Sequence, residues 1–181
     1  MRNSGTFLGI IVMVGVFITA TDTHWQISVP NSRVRMSSVV EFHQGLWKHC
    51  KSEPGFATQC DPYGGTLPLS LRAQRIMMII SCFIGTAGLF TIASSTQTSW
   101  VSAVSYTLLG LLVLTSVTTS AYNILYRHRF EPGMPQRPYQ RVHYGLGIDI
   151  YIGWISGGLA LVTGNTTSSR LIFNSSDVTD G

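Results

Sequence analysis

Gly45-Leu46-Trp47-Lys48-His49-Cys50, followed after nine residues by Cys60, is the stretch around which the rest of the chain is arranged. It is polar and carries two of the three cysteines, whereas most of the chain around it is apolar. A bilayer offers no partner for the backbone groups of such a segment, so it belongs in water. The intervening Glu53-Pro54-Gly55 has the residue chemistry of a turn. A turn there lets the chain double back and brings Cys50 towards Cys60. The stretch therefore reads as a disulfide-stapled β-hairpin on the oxidising side of a membrane.

Working outward, the composition points the same way. Of 181 residues, 45 % are apolar and 11 % charged, against about 25 % charged in soluble domains. Residues 86–120 contain no Asp, Glu, Lys or Arg. The length suits one domain. The net charge of +4 is spread over two loops rather than a basic helix, so nucleic-acid binding is not expected.

Four apolar blocks give an all-α membrane bundle of four transmembrane helices, with spans at 5–23, 74–93, 100–122 and 144–163. Together they form a single four-span domain over residues 1–164. A cleaved signal peptide is the alternative for the first block, with Arg2 as a weak positive start. The loops then cover 24–72 and 123–143, and a Ser/Thr/Asn-rich tail of 165–181 reads as disordered and cytoplasmic. In the first loop Trp25-Gln26-Ile27-Ser28-Val29 alternates as a strand does, and residues 37–42 are a weaker candidate. Residues 45–49 and 57–61 are the expected hairpin arms, giving a small extracellular antiparallel β-sheet. Phe130-Glu131-Pro132-Gly133 reads as the turn of the second loop.

Two features need their own reading. Asp149 lies inside the fourth block, where a charge is costly, and is expected to reach the headgroups or a second-loop arginine. Arg75 sits at the mouth of the second block, where its long side chain can snorkel to the interface. Lysines and arginines should favour cytoplasmic loops, yet here they fall in the loops placed outside. The paired cysteines decide the orientation, because they have no evident use in a reducing compartment. On that orientation the sequons at Asn165 and Asn174 face the cytoplasm and stay unused.

These residues resemble the claudin family. Gly45-Leu46-Trp47, Cys50 and Gln59-Cys60 look like its first-loop signature, and Trp25 stands where claudins open that loop. Leu71-Arg72-Ala73-Gln74-Arg75 is similar to the family's entry to the second span, with Arg75 on its arginine. Phe130-Glu131-Pro132 resembles the second-loop turn, and Tyr151-Ile152-Gly153-Trp154 lies in what looks like the fourth-span entry. The resemblance implies a tight-junction strand protein that binds itself and other claudin-like proteins in cis and in trans, embedded in membrane lipid. It implies a paracellular barrier or charge-selective pore, with Glu53 and Asp61 as candidate pore acids favouring cations. Phe130 and Pro132 are candidates for trans contacts. The Thr-Asp-Gly end lacks the hydrophobic pair that PDZ scaffolds recognise, so scaffold binding is not expected.

The alternatives are an auxiliary subunit of a voltage-gated calcium or glutamate-receptor channel, and a myelin or epithelial-membrane-protein-like adhesion protein. Catalysis is rejected for want of a nucleophile–base arrangement, and no cofactor is expected. The five histidines are scattered through loops and read as solvated rather than as metal ligands.

Overall fold

The computed structural model of the chain describes residues 2–29, 41–53, 55–64, 67–93, 99–127 and 143–179. Four helices pack in a closed ring, α1 (Arg2–Thr21), α2 (Leu69–Ala93), α3 (Ser99–Tyr122) and α4 (Ile148–Thr179), each against two neighbours. A π-helical turn, Asn123–Arg127, extends α3. Among the described residues two helical runs, Leu69–Ala93 and Trp100–Tyr126, are long and apolar enough to cross a membrane, and Gly5–Thr21 is a shorter apolar helix.

The interior holds Val12, Val16, Met78, Tyr106, Leu109, Val113, Val117 and Ile150, all fully buried. Serines and threonines share this interior, and Thr19, Ser116 and Thr163 are among them. Small residues set the helix spacing. A Cβ on Gly110 of α3 would stand 2.8 Å from the carbonyl oxygen of Gly157 in α4, so that seam closes only with glycine.

One five-stranded antiparallel sheet sits at one end of the bundle, in the order β4-β3-β2-β1-β5. Its strands are β1 (Gln26–Val29), β2 (Glu41–Gln44), β3 (Lys48–Ser52), β4 (Gln59–Pro62) and β5 (His143–Leu146). The β3–β4 turn forms where the sequence placed it. Phe56 N–H donates to the Glu53 carbonyl at 3.0 Å, and Gly55 has φ +85°, a backbone that only glycine adopts freely.

Several boundaries differ from the sequence reading. The hairpin arms are 48–52 and 59–62 rather than 45–49 and 57–61, because residues 45–47 are used to turn from β2 into β3. The weaker strand lies at Glu41–Gln44, and residues 37–40 are outside the described residues. The fourth helix begins at Ile148, not 144, because residues 143–146 pair with β1 across the full strand. The tail read as disordered continues α4 to Thr179. The second-loop turn with Phe130 and Pro132 lies outside the described residues.

Candidate functional site

The signature residues meet where the sheet joins the helices. Trp25 is buried against the end of α1 and donates its indole N–H to the Thr19 carbonyl at 2.6 Å. Trp47, more than a third exposed, donates its own to the Ala20 carbonyl at 2.6 Å. The last turn of a helix leaves carbonyls without intrahelical partners, and both indoles are aimed at them. Leu46, between Gly45 and Trp47, is fully buried. Gly45 is there for space: a Cβ would lie 2.5 Å from the Asp22 carbonyl oxygen and 2.7 Å from the Thr23 Cα.

Arg75, in the second turn of α2, closes this arrangement from the other side. Its Nε–H donates to the Leu46 carbonyl at 2.7 Å. Its guanidinium lies 5.1 Å from the Trp47 ring centroid and 5.3 Å from that of Tyr63. Tyr63 in turn donates its hydroxyl to the Gly45 carbonyl at 2.8 Å. The expectation that Arg75 snorkels to the interface gives way to a specific partner. The arginine holds the β2–β3 turn against the helix.

The staple lies further out. Cys50 and Cys60 are directly opposed in the β3–β4 register and form a disulfide, with Cα atoms 4.0 Å apart. Cys50 is buried, while every residue of β4 is exposed. The two candidate acids fare differently. Glu53 is ion-paired with Lys51, and both side chains are nearly half exposed. Asp61 sits on β4 opposite His49 and, among the described residues, forms no ion pair. No contact of Phe130 or Pro132 can be described, since both are outside the described residues.

The second loop is tied in through β5. Gly147 N–H donates to the Trp25 carbonyl at 2.8 Å, and a Cβ on Gly147 would fall 1.6 Å from the His24 carbonyl oxygen. Just beyond it Asp149 is fully buried and accepts the His24 backbone N–H at 2.7 Å. Among the described residues its partner is thus the α1–β1 junction; Arg129, Arg137 and Arg141 of the second loop lie outside them. Asp22 lies beyond the end of α1. Partial burial pushes its carboxyl up, but the Thr23 N–H and the His24 ring outweigh burial and hold it below the usual range.

The hydrogen bond from Tyr63 and the close approach at Gly147 depend on residues distant in the chain, and no local signal in the sequence announces either.

This constellation can be set beside known proteins. Residues 4–166 match the model of the PMP-22/EMP/MP20/Claudin family. Claudin-4 of Chlorocebus aethiops is 24 % identical, the match covering 91 % of this chain and 83 % of that protein. Claudin-14 of Mus musculus is 25 % identical over 88 % of this chain and 71 % of its own length. The claudin-like protein ZF-A89 of Danio rerio is 25 % identical over 88 % and 81 %. With its stapled sheet, its Gly-Leu-Trp turn locked by Arg75 and a family match over nearly its whole length, the chain belongs to the PMP-22/EMP/MP20/Claudin family.

Proposed function

We propose that the chain crosses the membrane four times, holds its sheet outside the cell, and assembles with copies of itself and other claudin-like proteins into junction strands. The strands would act as a paracellular barrier or a charge-selective pore. The observation that carries this reading is the disulfide-stapled sheet clamped onto the helix ends by Arg75, Trp25 and Trp47. A clamp of that kind fixes the sheet's orientation relative to the bundle, which lateral assembly in one membrane requires.

The exterior of the bundle supports four spans. Large apolar side chains face outward on α2 and α3 (Phe83, Phe90, Leu108, Leu111) and equally on α1 and α4 (Ile10, Val14, Phe17, Ile155, Val162). A water-soluble protein rarely exposes an apolar surface of that extent, whereas lipid covers it. The disulfide supports the outside placement of the sheet, since such bonds persist in oxidising compartments.

For selectivity, Asp61 is the stronger candidate acid because it is exposed and forms no ion pair among the described residues, whereas Lys51 offsets the charge of Glu53. A few fixed charges at a constriction are enough to discriminate ions. Phe130 and Pro132 remain the candidates for trans contact on the resemblance alone. Expression in fibroblasts that lack junctions tests the proposal. Continuous intramembrane strands at cell contacts, seen by freeze-fracture, are the expected result. Absence of strands, with altered gating of a co-expressed calcium or glutamate-receptor channel, would replace it with the auxiliary-subunit reading.

A further inference from the structure

Asp22, His24 and Asp149 converge where α1 ends, β1 begins and α4 starts, with one donor atom from each within 4.8 Å of the others. The arrangement is built from both sides. His24 N–H donates to Asp149 Oδ2 at 2.7 Å, and Asp149 N–H donates to the His24 carbonyl at 3.3 Å. His24 Nδ1 lies 2.9 Å from Asp22 Oδ1. Asp149 is 0 % exposed, and its second oxygen, Oδ1, is buried with no hydrogen-bond partner among the described residues. A buried carboxylate oxygen without a donor is costly, and a second carboxylate beside it makes it costlier. Two carboxylates so placed are relieved by a shared proton or by a cation, and the imidazole nitrogen beside them supplies a third ligand for the cation.

We propose that Asp22, His24 and Asp149 form a divalent-cation site selective for zinc over calcium and magnesium. The donor set decides the class. One imidazole nitrogen and two carboxylate oxygens suit zinc, which takes N and O ligands in tetrahedral sites and here keeps one position for water. Calcium takes 6–8 oxygens, and magnesium demands octahedral oxygen, which this trio does not supply. Zinc at roughly 2.0–2.2 Å from each ligand needs donor atoms roughly 3.3–3.6 Å apart. His24 Nδ1 and Asp22 Oδ1 are hydrogen-bonded at 2.9 Å, so the ion would replace the proton between them and open the pair by about half an ångström. Asp22 and His24 are nearly half exposed, so they have room to close on the buried Asp149 and leave the ion a path from solvent. The ion's positive charge neutralises both carboxylates and ties the start of α4 to the end of α1.

The test is isothermal titration of zinc chloride into the full chain in detergent micelles, purified without a histidine tag and stripped with EDTA. One zinc per chain is expected, with Asp149→Asn and His24→Ala each weakening binding at least tenfold and His49→Ala leaving it unchanged. Should Asp149→Asn fail to fold, His24→Ala and Asp22→Asn decide, because those side chains lie largely at the surface. No zinc uptake by the wild type, or wild-type affinity in His24→Ala and Asp22→Asn, overturns the site. Calcium bound as tightly as zinc overturns the donor assignment.

Discussion

Replacing Arg75 with alanine removes the side-chain hydrogen bond that, among the described residues, joins α2 to the Gly-Leu-Trp turn. The Nε donor at 2.7 Å from the Leu46 carbonyl is lost, and that carbonyl belongs to a residue only 1 % exposed. Leaving it without a donor costs about 1–3 kcal/mol. The guanidinium also leaves two aromatic faces, at 5.1 and 5.3 Å, worth roughly 0.5–1 kcal/mol each at a partly buried position. These contributions share one side chain and are not additive, so a net loss of about 2–4 kcal/mol is expected. Equilibrium unfolding in mixed micelles measures it, with the disulfide left intact. Combining Arg75→Ala with Trp47→Ala should show coupling of about 0.5–1 kcal/mol, because both changes delete the same cation–π contact. Arg75→Lys keeps the charge but not the guanidinium geometry and should fall between the two. A loss below about 0.5 kcal/mol for Arg75→Ala, the range of an ordinary surface substitution, would refute the clamp.

Three further outcomes are expected. Cys50→Ala opens a loop with a sequence separation of 10 and should cost roughly 2–3 kcal/mol by chain entropy, seen as earlier unfolding that the reduced wild type reproduces. Gly147→Ala puts a methyl group 1.6 Å from the His24 carbonyl oxygen, so β5 cannot seat on β1; loss of surface expression is expected, and normal trafficking would contradict the close approach. Asp61→Lys should move dilution potentials of an expressing monolayer from cation towards anion preference by more than Glu53→Lys does, since Lys51 already offsets Glu53; equal shifts would contradict that ranking.

The parts of the fold that local chemistry controls were legible in the sequence. Glu53-Pro54-Gly55 announced its turn and thereby the pairing of Cys50 with Cys60. The apolar blocks announced the helices. What stayed hidden depends on contacts between distant residues. Nothing near Arg75 says that its donor finds a carbonyl 29 positions away. Residues 143–146 read as the head of a helix because their strand character comes from pairing with β1, not from their own propensity. Asp149 was flagged as costly, but its partner lies 125 positions upstream at His24. The Ser, Thr and Asn content of residues 165–179 resembles disorder, whereas the helix runs on to Thr179 from residues packed in the bundle.

The sequence contains two lysines, Lys48 and Lys51, and both stand on β3 of the stapled sheet. A membrane-impermeant amine-reactive biotin applied to intact cells therefore reports which side of the membrane the sheet occupies. Labelling of intact cells is expected, with loss of the signal in a Lys48→Arg/Lys51→Arg variant. Lysine labelling that appears only after the cells are permeabilised would place the sheet in the cytosol and contradict the extracellular assembly proposed for it.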